Sequence, residues 1–204
     1  MKPLAYFVLL SFTLSYCSCT GQQLPSVSSE CIAINNKGTE SLLKYQAGQK
    51  AELLKAIIFY KDAIKCEPKY ILAYTSLALA YDYKKDYKEE LNTYNKLQLF
   101  CGDDPVILTE KGVVFEKLKQ VDSAKILYQV ASQKFKKKLT IQPNNTNALS
   151  GLLLILALNE GKESALRELD KRIVLNPEIA SKMASEYYFY KNFDKSAYIY
   201  HLSQ

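Results

Sequence analysis

Prolines recur along this chain at a nearly constant spacing. Pro68, Pro105, Pro143 and Pro177 lie 37, 38 and 34 residues apart, and each follows a stretch with helical apolar periodicity. Proline interrupts a helix because it lacks the amide hydrogen and its ring clashes with the preceding turn. A period of this size is typical of stacked helix-turn-helix units, which bury their apolar faces only against each other. The spacing therefore predicts a repeat fold made of helix pairs.

The segment 71–97 shows one such pair most clearly. Tyr74, Leu77 and Tyr81 recur at intervals of three and four residues, which is the apolar stripe of an amphipathic helix. A second stripe follows after a short turn, in which Asp86 is a candidate N-cap because its carboxylate can accept free amide hydrogens of the next helix. We therefore expect two antiparallel helices joined by a tight turn.

This pattern resembles that of the tetratricopeptide repeat family, whose 34-residue unit reads W-x2-L-G-x2-Y, then A-x3-F, then P. In the unit that starts at Ile71, the matching residues are Tyr74, Leu77, Ala78, Tyr81 and Tyr94. In the unit that starts at Pro105, they are Leu108, Gly112, Phe115, Ala124, Tyr128 and Ala131. The resemblance implies an all-α fold, a right-handed superhelical solenoid of about five stacked antiparallel helix pairs.

The N-terminal residues differ in composition from the rest. Lys2 is followed by an apolar run at 4–14, which is typical of a secretory leader and too short to cross roughly 30 Å of hydrocarbon as a helix. The end of this leader resembles the lipobox of bacterial lipoproteins, in which a cysteine is acylated and becomes the first residue. Cys19, preceded by the small Ser18, is the favoured acceptor, and Cys17 is the alternative. The resemblance implies a lipid-anchored protein of the cell envelope, at the outer membrane; a cleaved leader on a secreted or periplasmic protein is the alternative.

The register also predicts how the chain is organised. We expect a signal peptide at 1–18, a flexible tether at 19–29 and a helical repeat domain at 30–204, with units at about 30–70, 71–104, 105–145, 146–179 and 180–204. The third unit contains seven extra residues between Ala131 and Pro143, which continue the helical pattern for about two turns. We expect its second helix to be longer and to project beyond the stack.

Three further cysteines, Cys31, Cys66 and Cys101, lie 35 residues apart. Equivalent places on neighbouring repeat helices are separated by interaxial distances near 8–10 Å, whereas a disulfide needs Cα atoms closer than about 7 Å. An odd number of cysteines also cannot be fully paired. We therefore expect small buried apolar residues rather than disulfides. No CxxC pair or Cys/His cluster accompanies them, so no metal site is expected.

Three surfaces are candidates for contact with a partner. Along the groove that the first helices line in this family, the predicted contacts are Thr75, Leu79, Thr109, Val113, Ser150 and Leu154. The lengthened helix carries four lysines that bind anionic partners or simply complement the negative end of the helix dipole: Lys134, Lys136, Lys137 and Lys138. The chain ends in a segment rich in tyrosine and phenylalanine, where Tyr188 and Tyr190 are contacts if this end is a docking surface and packing residues if it caps the stack.

The residue types argue against several functions. The net charge is +6, with 21 acidic residues interleaved among 27 basic ones, so nucleic-acid binding gains little support. No nucleophile, phosphate-loop or metalloprotease motif occurs, and the one histidine is His201, near the end. We predict a non-enzymatic protein–protein interaction scaffold or adaptor, without a cofactor, that binds a peptide or helical segment of another protein. Capture of a glycan or peptide ligand on the same helical platform is the alternative.

Overall fold

The computed structural model describes residues 26–200, which contain ten α-helices, one short 3-10 helix and no β-strand. The helices are α1 (Ser29–Gln46), α2 (Glu52–Cys66), α3 (Ile71–Tyr83), α4 (Tyr87–Cys101), α5 (Pro105–Lys117), α6 (Val121–Ile141), α7 (Thr146–Glu160), α8 (Lys162–Leu175), α9 (Ala184–Lys191) and α10 (Lys195–Tyr200), with the 3-10 helix at Pro177–Ile179. The expected all-α class is confirmed for these residues. None of these helices is long and apolar enough to cross a membrane.

The described residues divide into two compact units at the start of α5. In the first unit, α1 packs against α2, α2 against α3, and α3 against α4. In the second unit, the same order of contacts runs from α5 to α9, and α10 returns to contact α5. Within each unit, helices that follow each other in sequence therefore pack against each other, as expected for stacked helix pairs.

The turns that close two of the helix pairs share one geometry, 34 residues apart. Lys85 and Lys119 both adopt left-handed φ angles, 60° and 63°. Each turn is a Schellman motif, in which the left-handed residue donates its amide hydrogen to a carbonyl three residues back and the next residue donates to a carbonyl five back. The bonds, at 2.8–2.9 Å, run from Lys85 to Asp82, Asp86 to Tyr81, Lys119 to Glu116 and Gln120 to Phe115. The backbone thus repeats with the 34-residue register read from the sequence.

The start of α4 confirms a local prediction. The carboxylate of Asp86 accepts a hydrogen bond from the amide of Glu89 at 3.4 Å, so Asp86 is the N-cap of α4. An acidic N-cap satisfies a free amide and suits the positive end of the helix dipole. The same residue therefore ends one Schellman motif and begins the next helix, which keeps the turn short.

Helix α6 has 21 residues, whereas α2 and α4 have 15 each. The predicted lengthening is confirmed, but the prediction that the extension projects beyond the stack is wrong. Phe135 and Leu139 in the extension are buried, and the Phe135 ring packs on Gly151 of α7, where a Cβ atom would overlap it. Seven residues make about two helical turns, so Phe135 repeats the position of Tyr128, whose ring packs on Gly112 of α5. The extra turns therefore enlarge the core of the second unit.

Cys31 and Cys66 form a disulfide, with Cα atoms 5.5 Å apart. The expectation that these cysteines stay unpaired is therefore wrong. It used the spacing between equivalent places on neighbouring helices, but Cys31 lies in the first turn of α1 and Cys66 is the last residue of α2. Antiparallel pairing brings these two ends together, opposite the loop of the hairpin. Cys101 is buried at the end of α4 and is also disulfide-bonded rather than free as expected.

Candidate binding surfaces

The predicted groove residues lie on α3, α5 and α7, and two of them are buried threonines. Thr75 donates its hydroxyl hydrogen to the main-chain carbonyl of Leu72 at 3.0 Å, and Thr109 donates to that of Pro105 at 2.7 Å. Because each hydroxyl is satisfied within its own helix, the side chain can be buried at little cost. Neither threonine is an open surface contact in the structure.

The other four predicted groove residues differ in exposure. Val113 and Leu154 are buried in the core of the second unit, whereas Leu79 and Ser150 are partly exposed. The Ser150 hydroxyl donates to the carboxylate of Glu186, on α9, at 2.9 Å. Four of the six predicted groove residues are therefore buried in the free protein, and contact of this set with a partner stays a prediction.

The aromatic C-terminal segment packs largely inward. Tyr190 is 2% exposed and lies in the core of the second unit with Phe193 and Tyr198. The rings of Phe189 and Phe193 meet edge to face, with centroids 5.5 Å apart, a geometry that aromatic pairs favour. Tyr190 is thus a packing residue, as in the alternative that this segment caps the stack. Tyr188, which is 73% exposed, stays a candidate for partner contact.

The α6 lysines, which are Lys134, Lys136, Lys137 and Lys138, lie in the C-terminal half of α6. Lys136 and Lys137 are exposed, and Lys134 and Lys138 are partly buried. The ion pairs of the described residues do not involve any of the four. Their binding of an anionic partner stays a prediction, and so does the simpler account that they stabilise the C-terminal half of a long helix.

A pocket in the first unit adds a surface that the sequence did not single out. It has a volume of about 240 Å³ and lies between α2 and α4, with α3 as its floor. We call it the basic pocket, because lysine side chains form its rim over an apolar floor. The rim lysines are Lys61, Lys65 and Lys96, and the floor residues are Tyr74, Leu77 and Tyr81.

Lys61 is the pocket lysine that an aromatic ring of the floor holds in place. Its Nζ lies 5.7 Å from the centroid of the Tyr81 ring, within the range of a cation–π contact. Hydrogen bonding to Tyr81 raises the pKa of Lys61, burial lowers it by less, and the negative charges of Glu89 and Asp86 raise it further. The ammonium group is therefore protonated at neutral pH. Glu89 is the one carboxylate among the lining residues, against three lysines.

The sequence carries only a weak signal for the basic pocket. Lys61 and Lys65 are four residues apart and so share a helix face, but lysines at this spacing are ordinary on solvated helices. The informative fact is that Lys96, on α4, faces the same cavity. That depends on how α2, α3 and α4 pack, which no local pattern contains.

Several predicted features lie outside the described residues. These are the signal peptide at 1–18, the lipidation site at Cys19 or Cys17 and most of the tether at 19–29. Within residues 26–200, no group of three or more His, Cys, Asp or Glu side chains is arranged to hold a metal ion.

The helix pairs, their common turn and their consecutive packing define a helical-repeat fold of the tetratricopeptide type. Two solved structures are similar to the chain. "MamA RS-1 ArsTM double mutant" has 17% sequence identity and a TM-score of 0.45, over 87% of this chain and 93% of its own. A tetratricopeptide repeat protein from Parabacteroides merdae has 18% identity and a TM-score of 0.49, over 98% of this chain and 78% of its own. No protein-family model and no curated protein matches the sequence.

Proposed function

We propose that this protein is a non-enzymatic scaffold or adaptor that binds another protein. The repeated helix pair is the observation that supports the proposal most. Side chains at the helix contacts form the core, and successive helices within each unit present their outer faces side by side. A surface built in this way suits an extended or helical segment of a partner better than it suits a small substrate.

The proposal includes export and a lipid anchor at the bacterial cell envelope. The Cys31–Cys66 disulfide supports export, because structural disulfides persist in oxidising compartments and are rare in the cytosol. The leader-like N-terminus and its resemblance to a lipobox support acylation, at Cys19 in preference to Cys17. On this proposal the domain acts as an adaptor tethered to the outer membrane.

Photo-cross-linking in the native cell tests the scaffold function. A photoreactive amino acid replaces Leu72, Ile126 or Tyr188, which are exposed residues on α3, α6 and α9. A scaffold gives a discrete protein adduct at some of these positions and not at others, because only the face in contact is within reach of the partner. Identical adduct patterns at all three positions, or no discrete adduct, would contradict the proposal. Specific binding of an envelope polysaccharide by the purified protein would favour ligand capture instead.

Substitution of the two leader cysteines tests the anchor. We expect Cys19→Ser to abolish labelling by a palmitate analogue and to release the protein from the membrane fraction, whereas Cys17→Ser leaves both unchanged. The opposite pattern assigns the modification to Cys17. If the double variant still fractionates with membranes, acylation at this site is wrong and another contact holds the protein there.

A further inference from the structure

We propose that the basic pocket binds an acidic peptide segment, in which one apolar or aromatic side chain enters the pocket and flanking carboxylates pair with Lys61 and Lys96. The inference rests on the proposed function, because it names the chemistry of one segment that such a scaffold binds. It concerns α2, α3 and α4 of the first unit and does not involve the predicted groove contacts or the α6 lysines.

The size of the pocket and its apolar floor favour a single side chain of the partner as the occupant. Its volume of about 240 Å³ is below the roughly 300–1,000 Å³ of pockets that hold drug-sized ligands. Tyr74, Leu77 and Tyr81 form a buried, largely apolar floor. The polar group beside them, the Thr93 hydroxyl, already donates to the main-chain carbonyl of Glu89 at 2.7 Å. The group that enters is therefore expected to be apolar, because the transfer of apolar surface out of water lowers the free energy of binding.

The rim of the pocket favours acidic neighbours of that side chain. Lys65 pairs with Asp62 at 2.8 Å, but Lys61 and Lys96 form no ion pair within the described residues. A partner carboxylate beside each of them adds attraction, whereas a basic partner meets like charge at close range. Lys61 is also positioned by Tyr81, so part of the cost of ordering this long side chain is already met in the free protein.

The acidic groups near the rim do not cancel this preference. Glu89 lines the pocket, and Asp86 lies close enough to influence Lys61. Asp86 is engaged elsewhere, because it caps α4 and pairs with Lys84 at 3.1 Å. The excess of lysine over carboxylate at the rim therefore remains available to an anionic segment.

Isothermal titration calorimetry with three peptides tests the proposal on the purified protein. The probe is the blocked peptide Glu-Glu-Phe-Glu-Glu, and the controls replace its four glutamates by glutamine or its phenylalanine by alanine. We expect the probe to bind about fivefold or more tightly than either control, because each control removes one of the two contributions. Equal affinity for the probe and the glutamine peptide would overturn the role of the lysines, and equal affinity for the alanine peptide would overturn insertion of a side chain.

Two pairs of lysine substitutions locate the binding site. Lys61→Gln combined with Lys96→Gln is expected to lower the affinity for the probe peptide by about threefold to tenfold. Lys136→Gln combined with Lys137→Gln removes the same charge from exposed positions of the second unit and is expected to leave binding unchanged. Equal losses in the two pairs would indicate attraction to the net charge alone, and a larger loss in the second pair would assign anion binding to α6; either result overturns the proposal.

Cross-linking in cells tests the scaffold function and peptide binding tests the basic pocket, so either proposal can be wrong while the other stands. If no peptide binds while discrete cross-linked adducts form in cells, the pocket inference is wrong and the scaffold function stands. If cross-linking detects no partner while the probe binds through Lys61 and Lys96, the pocket recognises acidic peptides but the proposed scaffold function is wrong.

Discussion

At the scale of single residues, a close approach between α5 and α6 depends on the absence of one side chain. Gly112 lies in the middle of α5, and a Cβ atom there would overlap the ring of Tyr128 on α6. Glycine costs a helix about 1 kcal/mol relative to alanine. Its presence in this helix is explained by packing, because only glycine leaves room for the ring.

The substitution Gly112→Ala is therefore expected to destabilise the protein, although alanine is the better helix former. Overpacking of this kind costs about 1–3 kcal/mol in the free energy of unfolding, which urea denaturation followed by circular dichroism measures. The second variant combines Gly112→Ala with Tyr128→Leu, which removes the ring that the new methyl group meets. The combined loss should be smaller than the sum of the two single losses, and simple additivity would contradict the steric explanation.

Glu186 gives a pH-dependent prediction at the same scale. Burial raises the pKa of its carboxyl above 4.5, and the hydrogen bond from Ser150 lowers it by less. A raised folded-state pKa means that folding favours the protonated form. The stabilisation is therefore fully present below pH 4.5 and is lost as the pH rises through the folded-state pKa.

We expect Glu186→Gln to unfold at higher urea concentration than the wild type at neutral pH, because a neutral amide avoids burying a charge. This advantage should disappear at pH values below 4.5, where the wild-type carboxyl is protonated in both states. Ser150→Ala is the matched variant: it removes the donor that stabilises the carboxylate and should destabilise the protein more at neutral than at acidic pH. An advantage of the Gln variant that persists unchanged in acid would refute the explanation.

At the scale of elements, the Cys31–Cys66 bond fastens the open end of the α1–α2 hairpin. The sequence separation of the two cysteines is 35 residues. In the chain-entropy account, closing a loop of this length removes enough freedom from the unfolded chain to stabilise the fold by about 3–4 kcal/mol. The first unit is therefore expected to depend on this bond more than on any single side-chain contact in the hairpin.

Replacing both cysteines by alanine should lower the free energy of unfolding by roughly 2–4 kcal/mol without loss of helix content at room temperature. Equilibrium urea denaturation without reductant measures the change, and peptide mapping of the non-reduced wild type identifies the bond. The single variants serve as controls, since either one alone removes the bond and should show a similar loss. A double variant as stable as the wild type would show that the bond does not hold the hairpin.

Prediction from the sequence succeeded where the cause is local. Apolar spacing located α3 and α4, and the carboxylate of Asp86 identified the start of α4, because both depend on a few neighbouring residues. Prediction from the sequence failed for contacts between two helices, because these depend on how the helices pack. The length of α6 follows from its own periodicity, but the contact of Phe135 with Gly151 depends on which face α7 presents.

The same difference between local patterns and contacts among helices explains why the predictions for the cysteines and the groove residues failed or stayed open. Cys31 and Cys66 looked like equivalent repeat positions because of their even spacing, but they occupy opposite ends of two antiparallel helices. Thr75 and Thr109 matched a groove register, yet packing against neighbouring helices buries them, and their hydroxyls bond to carbonyls of their own helices. A register fixes the place of a residue along a helix, whereas its exposure is decided by its neighbours.

At the scale of the whole molecule, the two units are stabilised at one end by different features. The first unit has a covalent bond across its first hairpin, and the second ends in an aromatic segment that packs into its core. In the second unit, α10 also returns to α5, where Lys195 pairs with Glu116 at 2.7 Å and Lys119 lies over the Tyr200 ring. The C-terminal segment is therefore part of the fold of that unit.

Removal of residues from Pro177 onward is expected to destabilise the second unit strongly, since it uncovers the apolar surface that Tyr190, Phe193 and Ile199 bury. Hydrogen exchange should show faster exchange in α5 to α8, with α1 to α3 much less affected. Tyr188→Ala, at a side chain of the same segment that is 73% exposed, is the control and should change little. A truncated protein with unchanged protection in α7 and α8 would contradict the role of this segment as a cap.

The disulfide also has a mechanical consequence. When a domain held at its N-terminal side is pulled by a bound partner, the tension enters through the residues before α1 and leaves through those after α2. Between Cys31 and Cys66 the force passes along the sulfur bridge and bypasses the 35-residue loop. About 120 Å of extended chain therefore stays unavailable for stretching, which limits how far the first unit can lengthen under tension.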